Sequence, residues 1–297
     1  MSDLSLGGIP RGVIGILPAT AKTKLRATLE RLQSASLRLA LREQGLWELQ
    51  ERLKQIVPDL KHQYSSFEVD SYYLQLKVRG QHAFQIALAT EAIKTIGESK
   101  RSLELVDVGD SAGTHIKYLQ ELNKDLELRC LSINADESSV KSIQAKGLQA
   151  LHMRAEEFAS HGINADICLS FEMLEHLPNP IQFLKSLSYR TACQALVITV
   201  PYIAQSRVAL HHIRGGRREH HKSENIHIFE FCPSDWRALF IHSGWSVYKE
   251  RLYLQYPRYS PLRTMKPLWK TLDYEGFWGA ILQRDHTWSD SCGAGIE

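Results

Sequence analysis

Leu105-Val106-Asp107-Val108-Gly109-Asp110-Ser111-Ala112-Gly113 reads as a short apolar strand running into a turn of small residues and then into helix-forming sequence. Valine and leucine ahead of the turn suit a strand covered on both faces, while Gly109 and Gly113 let the backbone turn tightly and approach a ligand. The stretch therefore predicts a cofactor seat. A dinucleotide fingerprint would place further glycines at positions 111 and 114, where this chain has Ser111 and Thr114, so a hydride-transfer reading begins with a mismatch.

From this strand the pattern alternates outward. Strands are expected over 103–109, 127–134, 148–153, 165–171 and 194–200, with helices between them near 113–123, 137–146 and 180–190. Such alternation implies right-handed crossovers and a mostly parallel α/β sheet. A helix over Gln81 to Ile96 leads in, and Pro233 starts another that ends near Gly244. Strand-like runs at 246–254 and 276–283 complete the set, and the tail from Asp285 is polar and expected to fray.

The ends differ from this middle. Residues 1–20 carry Gly7, Gly8, Pro10, Gly15 and Pro18 and read as a loose lead-in. Over 21–57, Leu25, Leu29, Leu32, Leu39, Leu46, Leu49, Leu53 and Ile56 recur near a helical spacing with arginines among them, which predicts one or two helices for packing, for pairing with a second copy of the chain, or for meeting a partner or membrane surface. The organisation expected is an N-terminal helical extension (1–80), a main domain (81–284) and a tail (285–297). Within the main domain, 203–226 forms a basic insert, with His211, His212, Arg214, Arg217, Arg218, His220 and His221 around Gly215-Gly216. A long, basic, glycine-hinged insert suits a lid over an anionic acceptor such as a phosphate, a nucleotide-linked sugar or a carboxylate. Tyr202, Trp236, Trp245, Tyr253 and Tyr256 could add stacking surfaces, although aromatics of this kind are more often core.

Composition narrows the classes. A formal charge of +3 on 297 residues is too small to imply a nucleic-acid partner. The five cysteines, Cys130, Cys168, Cys193, Cys232 and Cys292, include no CxxC pair and point to thiols of a reducing compartment. No apolar run approaches the roughly 18 residues of a membrane span, so the expected location is cytoplasmic.

Ligands of open α/β sheets sit beyond the carboxyl ends of the strands. The second strand ends at Asn134-Ala135-Asp136, where Asn134 could bond ribose hydroxyls and Asp136 could equally cap a helix. After the third come Arg154-Ala155-Glu156-Glu157, which could read an adenine edge or simply favour a helix start. The fourth ends in Ser170-Phe171-Glu172-Met173-Leu174-Glu175-His176-Leu177-Pro178, placing two carboxylates and an imidazole within five residues at the sheet edge.

With the glycine turn, Asn134, Ala155-Glu156, this Phe-Glu-Met-Leu-Glu-His-Leu-Pro run and Ile228-Phe229-Glu230-Phe231-Cys232-Pro233, residues 82–283 resemble the class I S-adenosylmethionine-dependent methyltransferases, in the broad group of ubiquinone-type and bacterial small-molecule enzymes. The resemblance implies a Rossmann-like, seven-stranded, mostly parallel sheet with an antiparallel last strand. It implies S-adenosylmethionine as cofactor, bound by Asp107, Gly109, Ser111, Gly113, Asn134, Ala155, Glu156 and Phe171. The family usually has glycine at position 111 and an acid at 134, so Ser111 and Asn134 depart from it.

His176, with Glu175 and His227, is the expected acceptor base or positioning group, set against a purely structural role for Glu175 and His176. Glu172, Glu175, His176 and His227 also resemble the metal site of small-RNA 3′-terminal 2′-O-methyltransferases, which implies a divalent metal as an alternative. The leading expectation is O-methylation of a small or glycan-linked acceptor. The alternatives are a metal-assisted RNA 3′-end 2′-O-methyltransferase, disfavoured by the modest charge, and a non-catalytic S-adenosylmethionine-binding scaffold.

Overall fold

A computed structural model describes residues 19–64, 68–98, 100–208, 227–261, 263 and 275–291. Most of the basic insert, 209–226, lies outside the described residues, as do the lead-in 1–18 and Cys292. The chain divides into two units, one of residues 1–84 with 253–276 and one of 85–252 with 277–297.

In the first unit, α1 (Ala19–Glu43) and α2 (Trp47–Ile56) are separated by a turn in which Gly45 has φ +68°. The covered stripe of α1 is Leu37, Ala40 and Leu41, while Leu32 is 38% exposed. Because the turn at Gly45 breaks the helix before Leu46, the leucines of the predicted seam do not share one face. α3 (Tyr72–Gly97) begins well before Gln81 and contributes its residues up to Phe84 here. Leu76 and Val78 are buried on it, and Arg79 donates to the carbonyls of Val57 (2.8 Å) and Pro58 (2.9 Å), acceptors that the end of α2 leaves unsatisfied. The buried guanidinium is thus a structural clamp, invisible to a search for apolar periodicity.

The second unit is built on a seven-stranded sheet. Its strands are β1 (Ser102–Val108), β2 (Glu127–Asn134), β3 (Ala150–His152), β4 (Ile167–Phe171), β5 (Ala195–Tyr202), β8 (Trp245–Leu254) and β9 (Gly276–Arg284), in the order β3-β2-β1-β4-β5-β9-β8. Six run parallel and β9, the last in the chain, runs antiparallel. Register is fixed by pairs such as Val106 with Leu131 and with Cys168, and Leu169 with Val197. All of β4 and nearly all of β5 are buried, as uninterrupted apolar strands between helical layers must be.

Four crossover helices start where local chemistry dictates. α4 (Thr114–Leu122) begins at the left-handed Gly113, and α5 (Glu137–Gln144) is capped by the Asp136 carboxylate on the amides of Ser138 and Ser139. α6 (Pro180–Arg190) is capped by Asn179, and both it and α7 (Pro233–His242) carry proline in the first turn. Trp236, Phe240, Trp245 and Trp278 fill the core beside β5 and β9, so Trp236 and Trp245 are packing residues rather than stacking surfaces. Tyr253, in the other unit, is equally buried. The polar tail does not fray at once: α8 (Thr287–Ser291) follows β9, with Ser289 buried and bonded to the Tyr189 hydroxyl at 2.7 Å.

A two-stranded ribbon completes the unit: β6 (Arg207–Val208) pairs antiparallel with β7 (Phe229–Glu230), Arg207 facing Glu230 in register. No helix among the described residues is long and apolar enough to cross a membrane. Cys130, Cys168, Cys193 and Cys232 are free thiols, with Cys168 and Cys193 fully buried.

Candidate functional site

The sheet order reverses direction between β1 and β4, and the loops after these two strands are where a parallel α/β sheet opens a crevice. After β1 the chain turns through Gly109 (φ +95°) and Gly113 (φ +71°). Among the described residues Glu172 is the one non-glycine residue with positive φ, so Ser111 sits in ordinary backbone space and the glycine missing there costs the turn nothing. Asp110, which sequence reasoning passed over, closes the turn. Its Oδ1 accepts from the amides of Ala112 (3.1 Å) and Gly113 (2.8 Å), and its Oδ2 accepts from the Ser132 hydroxyl (2.7 Å). An aspartate three residues before a left-handed glycine is the signal that could have revealed it.

Asn134 ends β2 as expected, and its amide is already engaged: Nδ2 donates to the Asp110 carbonyl (2.8 Å) and Oδ1 accepts from the Asp136 amide (2.7 Å). It pins the second strand to the glycine turn, while Asp136 takes the capping role, accepting from the hydroxyls of Ser138 and Ser139 in α5. Those bonds, led by that of Ser138, hold the Asp136 carboxyl below its usual range. Ala155 and Glu156 open a 3-10 turn after β3, where Glu156 pairs with Arg154 at 3.4 Å.

Asp107 and Phe171 come together through a residue that the sequence reading missed. His115, in the first turn of α4, places Nδ1 3.1 Å from Asp107 Oδ2 and its ring edge on Phe171, centroids 5.0 Å apart. Burial, then the charge of Asp110, pushes the Asp107 carboxyl up to about 6. Burial opposes charge on His115, but the bond from Asp107 and the charges of Asp107 and Asp110 outweigh it, leaving the imidazole pKa raised. Asp107 Oδ1 is buried without a hydrogen-bond partner, an acceptor at the carboxyl end of β1.

After β4, Glu172 turns the chain at φ +52° and donates its amide to the Thr199 carbonyl at 2.9 Å. Burial and the neighbouring charge of Glu175 push its carboxyl well above the carboxylate range. A 3-10 turn over Leu174–His176 then presents Glu175 and His176, and the amide of Ile228 bonds the Glu175 carbonyl (2.8 Å), bringing His227 alongside. The rings of His176 and His227 meet edge to face at 4.8 Å, and one donor atom each from Glu175, His176 and His227 lie within 4.8 Å of one another.

Glu172 stands outside this trio, so the four-residue set predicted from sequence gathers as three; its carboxyl is buried, with Oε1 lacking a hydrogen-bond partner, and it feels the charge of Glu175. Glu175 is 1% exposed, neither of its carboxylate oxygens has a hydrogen-bond partner, and burial raises its pKa against the opposing pull of His176 and His227.

His227 is in turn held from behind. Its Nδ1 lies 3.0 Å from Glu230 Oε1, and Glu230 Oε2 accepts from Arg207 Nε at 2.6 Å. Burial would raise the Glu230 pKa, but the bonds from His227 and Arg207 prevail and lower it; burial likewise opposes charge on His227, where the Glu230 bond prevails and raises the pKa. Arg207 lies near the start of the insert and Glu230 beyond its end, so no local pattern joins them.

The two loops touch: a Cβ added to Gly109 would lie 3.1 Å from Met173 Cγ, placing the glycine turn against the segment that carries Glu175 and His176.

No protein-family model and no curated protein matches the sequence. Solved structures do match. A Galdieria sulphuraria protein described as a sarcosine dimethylglycine methyltransferase superposes with a TM-score of 0.52 at 12% identity, covering 71% of this chain and 87% of its own. Burkholderia thailandensis 1,6-didemethyltoxoflavin-N1-methyltransferase, solved with 1,6-didemethyltoxoflavin and S-adenosylhomocysteine, gives 0.48 at 11% identity over 68% and 78%. An S-adenosylmethionine-dependent methyltransferase from Mesorhizobium loti gives 0.46 at 13% identity over 65% and 96%. The fold of this chain is the Rossmann-like fold of the class I S-adenosylmethionine-dependent methyltransferases.

Proposed function

We propose that the chain methylates a hydroxyl of a small or glycan-linked acceptor bearing an anionic group, with S-adenosylmethionine as donor. The observation that carries this reading is the gathering of His227 with Glu175 and His176, the latter two on a segment that packs against the glycine turn. The turn suits the donor: two left-handed glycines shape it, and the unpartnered Asp107 Oδ1 offers an acceptor to a cationic or N–H-bearing group. The sulfonium supplies an electrophilic methyl group and departs as a neutral thioether. His176 accepts the hydroxyl proton at a ring nitrogen as the new C–O bond forms, and the buried Glu175 stabilises the positive charge arriving there. Aligning donor and acceptor is the remaining task of the site. The basic composition of the insert supports an anionic acceptor.

A second reading is favoured by Glu175, whose two carboxylate oxygens are buried and unpartnered beside two imidazoles. Glu175, His176 and His227 would hold a divalent ion, and two nitrogen donors favour manganese, cobalt or zinc over magnesium. The ion would supply Lewis acidity toward the acceptor hydroxyl.

The test is calorimetry with S-adenosylmethionine and S-adenosylhomocysteine, followed by mass spectrometry of sugar nucleotides, phenols and RNA ends for a gain of about 14 Da, one methyl group. His176→Ala should slow turnover roughly 10²- to 10⁴-fold with S-adenosylhomocysteine affinity preserved. Binding without turnover across the panel would favour the scaffold, absence of binding by either cofactor form would sink the reading, and turnover untouched by a chelator would remove the ion.

A further inference from the structure

We propose that Arg207 and Glu230 form a positioning relay that fixes the tautomer and aim of His227 as a metal donor, so that the β6–β7 ribbon forms part of a divalent-cation site. This inference rests on the metal reading above. An imidazole binds a metal through one ring nitrogen, and the hydrogen bond made by the other decides which. Here Nδ1 is committed to Glu230 Oε1 at 3.0 Å, which leaves Nε2 as the nitrogen to serve a metal held with Glu175 and His176.

The relay is well placed for this work. Glu230 is 5% exposed, and a buried carboxylate needs its charge answered on more than one side. Arg207 Nε answers it at 2.6 Å from the facing strand, and the ribbon register holds the two residues opposite each other. The Glu230 side chain therefore has one oxygen for Arg207 and one for His227, and both contacts are charge-assisted when the imidazole is protonated. The same ribbon lies against the Leu174–His176 turn through the Ile228 amide and the Glu175 carbonyl. Three donors are thus tied to one another by backbone as well as by side chains, which is what a preorganised cation site requires.

The experiment uses the full chain, stripped with chelator and titrated with Co²⁺ by calorimetry and by visible absorption, which reports coordination of the ion rather than turnover. The wild type should bind one equivalent with a ligand-field spectrum, and Glu230→Gln should weaken binding about 10- to 100-fold, the usual effect of removing an outer partner of a metal-bound histidine. In a His227→Ala background, Glu230→Gln should cost nothing further, because the relay acts only through that ring. Arg207→Gln, at a partly exposed position, should weaken binding in the same direction and stands in if Glu230→Gln fails to fold.

Absence of Co²⁺ binding by the wild type would overturn the metal reading and the relay together. Normal wild-type binding with undiminished affinity in folded Glu230→Gln and Arg207→Gln, or an equal Glu230→Gln loss with and without His227, would overturn the relay while leaving the metal reading intact.

Discussion

Replacing Gly109 with alanine tests whether the glycine turn and the Glu172–His176 segment act as one site. At φ +95° the backbone lies where alanine is strained, and the new Cβ would stand 3.1 Å from Met173 Cγ and 3.3 Å from Met173 Cβ. Gly147 provides the control: its φ is +76°, but a Cβ there meets nothing within 4 Å. Gly147→Ala should therefore report backbone strain alone, about 1–2 kcal/mol, partly offset by the roughly 0.4–1 kcal/mol that alanine contributes by narrowing the unfolded ensemble. Gly109→Ala carries that strain plus the displacement of Met173. Since one of the two crowded atoms is a Cβ, rotation of the side chain cannot relieve the contact, and overpacking of this kind adds about 1–3 kcal/mol.

The expected ordering in urea unfolding is a net loss of about 1–4.5 kcal/mol for Gly109→Ala against about 0–1.5 kcal/mol for Gly147→Ala, the Met173 contact making the difference. S-adenosylhomocysteine affinity, measured by calorimetry, should fall at least about tenfold in the first variant, equivalent to 1.4 kcal/mol, and stay unchanged in the second. Equal stability losses in the two variants, with cofactor affinity preserved in both, would refute the reasoning.

Three further outcomes follow from the turn and its neighbours. Asp110→Ala strips the acceptor from two amides and a hydroxyl and should cost roughly 3 kcal/mol in denaturant unfolding; a loss below about 1 kcal/mol would show that the turn holds without it. Ser111→Gly restores the residue usual at that position yet should leave cofactor affinity unchanged and lower stability by about 0.5–1 kcal/mol, because Ser111 has no positive φ to relieve. A tighter complex would mean that the serine side chain obstructs the ligand.

For Asp107, burial raises the carboxyl from 3.8 to about 6, so its protonated form is favoured by folding and its stabilising contribution is complete below 3.8 and lost as pH rises through about 6. His115, also raised, acts with the same sign. Asp107→Asn should flatten the decline of Tm across that window; an unchanged slope would place the titration elsewhere.

Much of this fold was legible in the sequence because each buried parallel strand is an apolar run closed by turn chemistry. Val106, Leu169 and Val197 announce β1, β4 and β5 by composition alone, and Asp136, Asn179 and Pro233 mark helix starts by their capping or φ preference. The early start of α3 was not legible, since Gln75, Lys77 and Arg79 break the apolar count; the partners of the buried Arg79 are a pair of carbonyls at the end of another helix, which no periodicity reveals. The same distinction runs through the site. Glu175 and His176 share a short segment and can be read together, whereas the Asp107–His115 and Arg207–Glu230 pairs depend on a helix turn aligned with a strand end and on a ribbon whose strands are far apart in sequence. Pairings set by tertiary register leave no periodic trace.

The two-residue strands β6 and β7 carry an evolutionary implication. Between Val208 and His227 lie 18 residues whose ends are brought together by the ribbon and sealed by the Arg207–Glu230 pair. The entropy of closing that segment is thereby met at its base, and for a flexible connection each doubling of length adds only about 0.6 kcal/mol. By that scaling, a longer or shorter stretch between Val208 and His227 would change the closure entropy little, so the length of chain between the two strands can vary while the Arg207–Glu230 pairing is kept.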